Sequence, residues 1–244
     1  MATPVSLQQT NLELSLPQDA EYVFTDIETE SLSGLLLLQI AAITASGLQF
    51  NVFINPCRPL SQACSNFLGF YYYNHNLYRN GNRLYTKTIK QALLDFTNFI
   101  NNINKPVVLV YHNGFAFDCS ILANNLIRFK IPIPSNLISV CDSLPFIRTF
   151  FKDKTVQNHK LGTLAAHFKL NHEHAHCALS DSIVLKQICE HISKQHNIPF
   201  QDMFKNSYRR FSEYIDRLVL GKPLTKLKKE KKSPKKDIKE KPKT

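Results

Sequence analysis

The sequence predicts a mixed α/β fold in which one sheet, built from antiparallel and parallel strands, is flanked by helices. Three segments rich in β-forming residues lie at 22–28, 35–45 and 48–56, and Ser46-Gly47 between the last two is a hairpin turn signal. Helical and strand patterns alternate after them. Three antiparallel strands followed by this alternation are typical of a sheet with helices packed on it.

The alternating patterns continue almost to the end of the chain. Helical spacing predicts helices at 87–103, 117–129, 161–168, 178–195 and 207–220, and short apolar runs predict strands at 106–112 and 137–143. Residues 57–86 follow neither period and are rich in tyrosine and asparagine. We interpret them as a surface excursion or as a loop that faces nucleic acid, because aromatic rings stack on bases. We expect one domain at 19–220, after a loose leader at 1–18.

Positive charge is concentrated in the last part of the chain. Residues 221–244 contain eleven lysines and three acidic residues, and therefore carry eight of the eleven net positive charges. Because this segment has almost no apolar residues to bury, we expect a disordered, lysine-rich tail. Such a tail could contact phosphates, acidic proteins or a nuclear import receptor, or could act only as a solvated tail.

The N-terminal residues and the cysteines predict an intracellular protein. The first 18 residues have neither the basic and apolar regions of a secretion signal nor the arginines of a mitochondrial presequence. The six cysteines include no C-x-x-C pair, so we expect reduced thiols in the cytoplasm or nucleus, with the basic tail favouring the nucleus. No apolar run reaches the length of a membrane span, and we expect no membrane contact.

Four acidic residues and one histidine stand at positions where a sheet could bring them together. Asp26 and Glu28 are two apart in a predicted strand and project from the same face. Asp118 follows an apolar strand, and Asp181 lies near the start of a helix with His176 five residues before it. Each acid also has a plain interpretation: an exposed strand face for the first two, and favourable charge at a helix N-terminus for the others.

The combination resembles the DEDD exonuclease superfamily in its histidine-containing subclass, DEDDh. The resemblance is carried by FTDIETESL at 24–32, HNGFAFD at 112–118 and HCALSD at 176–181, with QIAAI at 39–43 and KLGTLAAHF at 160–168. It covers about residues 21–195. The longer second motif and DSLPFIR at 142–148 are most similar to three-prime repair exonucleases and to the exonuclease-like domain of some promyelocytic leukaemia protein isoforms. The proline-rich insertion and apolar C-terminal anchor of the repair exonucleases have no counterpart here.

This resemblance implies a ribonuclease H-like fold and a 3′-5′ exonuclease that uses two Mg²⁺ or Mn²⁺ ions. It implies that Asp26 bridges both ions, that Glu28 and Asp181 hold the ion on the nucleophile side, and that Asp118 acts on the leaving-group side. His176 is then the general base that takes a proton from the attacking water, and 5′-mononucleotides are the products.

The resemblance also bears on the substrate. Thr29 and Leu32 match positions that hold the terminal nucleotide in relatives, and we add His112 and Asn113 as candidates for substrate binding. We expect single-stranded or frayed 3′ ends of DNA as the substrate. RNA and short oligoribonucleotides remain open, as does an inactive interaction module, although all five catalytic residues are present. The repair exonucleases are dimers, so a homodimer is possible.

The stretch HEHAHCALSD at 172–181 also raises the question of a zinc site. Its three histidines alternate, and no second pair of ligands elsewhere completes a tetrahedral site, so we disfavour zinc. We expect His172 and His174 to be loop residues near the substrate phosphates, and Cys177 to pack against the core.

Overall fold

The computed structural model describes residues 16–31, 36–152, 155–173 and 175–224, which form ten strands and eight helices. The strands are β1 (Glu21–Thr29), β2 (Leu37–Thr44), β3 (Gln49–Ile54), β4 (Phe70–Tyr73), β5 (Asn76–Arg79), β6 (Asn82–Arg83), β7 (Thr86–Lys87), β8 (Val107–Tyr111), β9 (Leu137–Asp142) and β10 (Tyr208–Arg209). The helices are α1 (Gln62–Leu68), α2 (Ile89–Asn101), α3 (Asp118–Arg128), α4 (Ser143–Phe150), α5 (Leu161–His167), α6 (Ala178–His196), α7 (Phe200–Phe204) and α8 (Ser212–Leu220).

Seven strands form one mixed sheet in the order β10-β9-β8-β1-β2-β3-β7. Strands β1, β2 and β3 pair antiparallel, with the predicted turn at Ser46-Gly47 between β2 and β3. Strand β8 lies parallel to β1, and β9 lies parallel to β8. The predicted fold is confirmed: three antiparallel strands are extended by parallel ones, and helices cover the sheet.

The central strand β1 contributes to the core on both faces of the sheet. Val23 and Ile27 pack in the core that includes α2 and α3, whereas Tyr22 and Phe24 pack in the core that includes α6. Side chains alternate along a strand, so Asp26 shares the face of Phe24. The carboxylates of the predicted first motif therefore point to the side of the sheet on which α6 lies.

Residues 57–86 are more regular than their composition suggests. They contain α1 and a second sheet of β4, β5 and β6, joined by tight turns at Asn74-His75 and Asn80-Gly81. The φ angles are 44° and 61° in the first turn and 47° and 84° in the second. Positive φ at both central residues gives the type I′ turn, whose twist suits a hairpin. The prediction of an irregular excursion was wrong because these turn signals, including an Asn-Gly pair, outweigh the polar composition.

The structure also differs from the prediction in two boundaries and one additional helix. The last helix begins at Ser212 instead of 207, because Tyr208–Arg209 pair with β9 as β10. Helix α4 was not predicted. Leu16, within the predicted leader, is buried, and its carbonyl accepts a hydrogen bond of 2.6 Å from the Gln201 Nε2. Residues 1–15 of that leader and 225–244 of the predicted tail lie outside the described residues.

All six cysteines are unpaired thiols, as expected. Among the helices that the structure describes, none is long and apolar enough to cross a membrane.

Candidate active site

Strand β1 places the first two acids at the centre of the main sheet. Asp26 lies opposite Ala41 of β2 and Glu28 lies opposite Gln39, and the register shifts just after Glu28. Glu28 is buried and Asp26 is half-buried. Because both positions pair with β2, the backbone that carries the two carboxylates is held by strand hydrogen bonds.

The turn after β8 brings Asp118 to the same place. Asn113 has a φ of 65°, and a Cβ on Gly114 would lie 2.2 Å from the Cβ of Tyr111, so this turn requires glycine at position 114. Helix α3 then begins at Asp118, whose carboxylate accepts a hydrogen bond from the backbone N–H of Ile27. The turn therefore directs the third acid back to β1.

Asp142, at the end of β9, organises this turn. Its buried carboxylate accepts hydrogen bonds from the backbone N–H groups of Asn113 (2.8 Å), Phe115 (3.2 Å) and Leu144 (2.9 Å). The motif DSLPFIR, noted in the sequence for its resemblance, begins with this aspartate. Its local role is to satisfy the N–H groups of the turn that precedes Asp118.

His112 and Asn113, predicted to bind substrate, contact other parts of the protein. The His112 Nδ1 lies 2.8 Å from the Ser143 Oγ, and its Nε2 lies 2.7 Å from the His159 carbonyl oxygen. Burial lowers the pKa of His112, which favours the neutral ring. Neither residue lines the cleft that contains the acids. Their role in substrate binding stays a prediction.

The first turn of α6 supplies Asp181, and the loop before it supplies His176. One oxygen of Asp181, Oδ2, accepts a hydrogen bond of 3.1 Å from the His176 N–H, and Oδ1 is bonded to the His172 Nε2. Possible ligand atoms of Glu28, His176 and Asp181 all lie within 4.8 Å of one another. The exposed His176 side chain thus sits beside two buried carboxylates.

Gln39 anchors α6 to the sheet and was not singled out by the sequence. It is fully buried on β2, where its Oε1 accepts a hydrogen bond of 3.1 Å from the Ala178 N–H and its Nε2 donates to the Asn51 Oδ1 at 2.8 Å. The Nε2 also lies 3.5 Å from the Cys177 Sγ. A glutamine within the apolar run LLLLQIAAI was the available signal, since a buried amide needs partners.

Arg79 of β5 was missed as well. Its guanidinium donates to the carbonyl oxygens of His176 (2.9 Å) and Ala175 (3.3 Å), and its Nε donates to the Leu68 carbonyl at 3.3 Å. It lies close enough to Glu28 to favour the charged carboxylate. Arg79 lies in the segment that the sequence suggested was irregular, and no local pattern links it to the histidine loop.

Burial and mutual repulsion raise the pKa of three of the acids. Burial raises the pKa of Asp26 well above its ordinary value, and Asp118, Glu28 and Asp181 raise it further. Burial, then Asp181, raises the pKa of Glu28 to about 7. Burial, then Asp142, raises the pKa of Asp118 to about 7. Clustered carboxylate oxygens are hard ligands that suit Mg²⁺ or Mn²⁺, so this donor set fits divalent cations.

The acids line one open cleft of about 490 Å³. Thr29, the exposed Phe67 of α1 and the exposed Phe117 lie around it, together with Asp26, Glu28, Asp118, His176 and Asp181. Leu32 and His174 lie outside the described residues. The structure therefore brings all five predicted catalytic residues, and Thr29, to one place.

Comparison with protein families identifies the domain. Residues 23–189 match the model of the exonuclease family, RNase_T. The chain belongs to this family. This exonuclease domain is of the DEDD type, and it includes every residue of the cleft described above.

Two curated proteins illustrate the similarity. DNA polymerase III PolC-type from Streptococcus suis is 32% identical over 187 residues, which cover 74% of the chain and 11% of that polymerase. The Arabidopsis thaliana exonuclease DPD1, chloroplastic/mitochondrial, is 28% identical over 214 residues, covering 79% of the chain and 64% of DPD1. The chain thus spans only about a tenth of the length of the polymerases it matches.

Solved structures show the same fold. Exonuclease I is 15% identical to the present chain, with a TM-score of 0.60. The match covers 73% of the present chain and 42% of exonuclease I. The Escherichia coli enzyme in complex with a dA16 oligonucleotide is 13% identical with a TM-score of 0.59, over 73% and 42% of the two chains. These structures share the fold, and it is the family match and the similarity to DPD1 that support a nuclease. Proteins of the family typically depend on divalent metals, and Glu28, His176 and Asp181 form a possible metal site.

Proposed function

We propose that the protein is a 3′-5′ exonuclease of the DEDDh subclass that releases 5′-mononucleotides from single-stranded or frayed DNA ends. The observation that carries this proposal is the convergence of Asp26, Glu28, Asp118 and Asp181 on one cleft, with His176 at its rim. The sequence motifs most similar to three-prime repair exonucleases support the subclass.

Two Mg²⁺ or Mn²⁺ ions, when bound, would neutralise charge on the phosphate and lower the pKa of water. Asp26 would contact both ions, Glu28 and Asp181 the one beside His176, and Asp118 the other. His176 would take the proton from the attacking water, because histidine in general exchanges protons near neutral pH. The 3′-oxygen of the preceding nucleotide then leaves with a proton from solvent.

The histidine is held for this task by its neighbours. Its backbone N–H is bound by Asp181 and its carbonyl by Arg79, while its ring contacts that of Phe67 at a centroid distance of 4.2 Å. These contacts fix the backbone on both sides of the side chain. The exposed ring remains at the cleft, within reach of a water that attacks the phosphate.

Exposed aromatic rings favour an unpaired strand as the substrate. Phe67 is 65% exposed and Phe117 is 37% exposed, and both line the cleft. Rings of this kind stack on bases that are free of a partner strand. The DNA complex of exonuclease I is consistent with DNA, and RNA is the alternative substrate to be tested.

End-labelled single-stranded DNA and RNA of the same sequence, incubated with Mg²⁺ or Mn²⁺, test this function. We expect 5′-mononucleotides from the 3′ end of DNA, no cleavage in EDTA, and losses of at least about a thousandfold for Asp26→Ala and His176→Ala. Asp202→Asn, an exposed acid paired with Lys205, is the control and should match wild type. Equal product release by Asp26→Ala and wild type would disprove the catalytic assignment.

Location and assembly are separate proposals. We propose that the lysine-rich residues 221–244, mostly outside the described residues, favour the nucleus, and that a homodimer forms as in the repair exonucleases. Removing residues 221–244 from a fluorescent fusion should reduce nuclear signal, and an unchanged distribution would argue against this role.

Light scattering of the full chain at several concentrations tests the homodimer and should give the mass of a dimer.

A further inference from the structure

The small sheet of β4, β5 and β6 exposes aromatic rings that the catalytic cleft does not use. In its register Tyr71 pairs with Tyr78, and Tyr78 pairs with Arg83. Paired residues, and residues two apart, share a face, so Tyr71, Tyr73, Tyr78 and Arg83 lie on one face of this sheet. We call this set the tyrosine platform.

The opposite face of the small sheet is packed against the rest of the protein. Phe70 and Leu77 are fully buried there, in a core cluster with Leu38, Cys64 and Leu68. The tyrosine platform therefore faces away from the core. Tyr73 is 70% exposed and Tyr71 is 40% exposed, so large ring surfaces remain in water on this face.

The rings are arranged in a way that suits stacking. Tyr71 and Tyr78 are parallel to within 6°, with centroids 4.9 Å apart, and Tyr73 extends the same row of β4. Successive bases of a single strand stack on rings of this kind without regard to sequence. Tyrosine also tolerates water better than phenylalanine, because its hydroxyl remains hydrated when no strand is bound.

The charge around the tyrosine platform complements a phosphate backbone. Residues 70–83 contain no acidic residue, and Arg83 lies on the face of the platform with no ion-pair partner in the described part of the chain. A polynucleotide would meet positive charge here, whereas an acidic cluster occupies the cleft itself.

The small sheet that carries the tyrosine platform adjoins the cleft. Helix α1 supplies Phe67 and Leu68 to the cleft wall, Gly69 turns the chain with a φ of 70°, and β4 begins at once. The Cα atoms of Leu68 and Tyr71 are separated by three peptide units, which is at most about 11 Å. On the neighbouring strand, Arg79 bonds the carbonyl of His176. The sheet thus adjoins the catalytic loop.

We propose that the tyrosine platform binds single-stranded DNA on the 5′ side of the nucleotide that occupies the cleft. This inference rests on the proposed function, since it supplies the strand whose 3′ end lies at the carboxylates. The platform would let the enzyme hold a long strand between successive cleavages, while a dinucleotide would be too short to reach it.

The test separates strand binding from cleavage. Binding of fluorescently labelled oligo-dT of about 16 nucleotides is measured by anisotropy in an Asp26→Ala background, and kcat and KM are measured with Asp26 intact, on this oligomer and on a dinucleotide. The variants are Tyr71→Ala/Tyr73→Ala, the matched pair Tyr71→Phe/Tyr73→Phe, and Leu48→Ala, which removes an apolar side chain 63% exposed at the β2–β3 turn.

We expect the double alanine variant to weaken oligo-dT binding, and to raise KM on that oligomer, by at least about fivefold, with unchanged turnover of the dinucleotide. The phenylalanine pair and Leu48→Ala should bind as wild type. Arg83→Gln should reduce the salt slope of binding by about 1. Thermal unfolding confirms that each variant is folded.

Two results would overturn the proposal: unchanged oligo-dT binding by the double alanine variant, or an equal loss of activity on the dinucleotide. A change of oligomeric state with unchanged DNA binding would assign the surface to contacts between copies of the chain. Failure of the proposed function has a different signature, because wild type would then cleave nothing while the binding arm still reports on the platform.

Discussion

The carbonyl of His176 is bound by Arg79, a residue 97 positions earlier in the chain. His176 itself has a φ of 62°, a left-handed conformation that residues other than glycine rarely adopt. Such a conformation persists only where the surroundings hold it. The hydrogen bonds from Arg79 to the carbonyl and from the N–H to Asp181 provide this support, which makes Arg79 a positioning residue for the proposed general base.

We predict that Arg79→Met lowers kcat on a dinucleotide by about tenfold or more, because a base displaced by a fraction of an ångström transfers protons poorly. KM on the dinucleotide should change little, since Arg79 is not expected to contact substrate. Arg79→Lys should recover part of the activity, and Arg83→Met is the matched control that removes an arginine from the same sheet. A kcat of Arg79→Met equal to that of wild type would show that the loop keeps its conformation without Arg79.

The histidines of the loop before α6 make different contacts. The sequence suggested that His172 lies near substrate phosphates, but the ring of His172 bonds the carboxylate of Asp181. The alternating pattern of three histidines does not distinguish them. The two histidines differ in how they contact Asp181. The ring of His172 bonds Oδ1, whereas His176 bonds Oδ2 through its backbone N–H and leaves its ring at the cleft.

At the scale of elements, the turn between β8 and α3 decides where Asp118 lies. Gly114 is in contact with Tyr111, which is fully buried, so the turn cannot move away from an added side chain. The three N–H groups bound by Asp142 include two from this turn. The geometry that places Asp118 beside β1 therefore depends on a glycine and on an aspartate of the neighbouring strand.

We predict that Gly114→Ala lowers the free energy of unfolding by about 1–3 kcal/mol, because the added methyl group overlaps the Tyr111 side chain. It should also lower kcat, since Asp118 moves with the turn. Gly162→Ala in α5 is the matched control: its nearest neighbour atom would be 3.7 Å away, and alanine favours a helix. Urea unfolding of both variants measures the effect. If neither variant loses stability, the turn does not require glycine at position 114.

At the scale of the whole molecule, the folded structure brings carboxylates together that are far apart in the unfolded chain. The pKa values of Glu28 and Asp118 rise to about 7, from ordinary values near 4. Between about pH 4 and pH 7 these two carboxyl groups are protonated in the folded protein and ionised in the unfolded chain, so the folded protein binds more protons. The free energy of unfolding of the metal-free protein therefore falls as pH rises from about 4 to about 7. The contribution of these two groups to stability is largest at the acidic end of this range.

We predict that thermal unfolding in EDTA shows a larger loss of stability between about pH 5 and pH 7.5 for wild type than for Glu28→Gln, by a few degrees in Tm. Mg²⁺ or Mn²⁺ should raise the Tm of wild type more at the higher pH, where the carboxylates are ionised. Asp95→Asn is the control, since this half-buried acid of α2 pairs with Lys87 and does not line the cleft. Parallel pH profiles for wild type and Glu28→Gln would contradict the raised pKa of Glu28.

Much of the site could be predicted from the sequence, because its acids lie in segments with clear local patterns. The alternation of β1 places Asp26 and Glu28 on one face, and Asp118 and Asp181 each stand in the first turn of a helix. The small sheet was missed although its turns carry a local signal, Asn80-Gly81. The polar and aromatic composition of this segment masks that turn signal.

The amino-acid sequence alone was enough to predict the three antiparallel strands, the alternating strands and helices after them, the exonuclease motifs and the five residues proposed to catalyse the reaction. The residues that support them become apparent only in the folded protein: Gln39 under the first turn of α6 and Arg79 behind His176. The physical reason is range. Periodicity and turn signals report interactions between residues a few positions apart, whereas the contacts of Gln39 with Ala178 and of Arg79 with His176 span 139 and 97 positions and exist only after the sheet has formed.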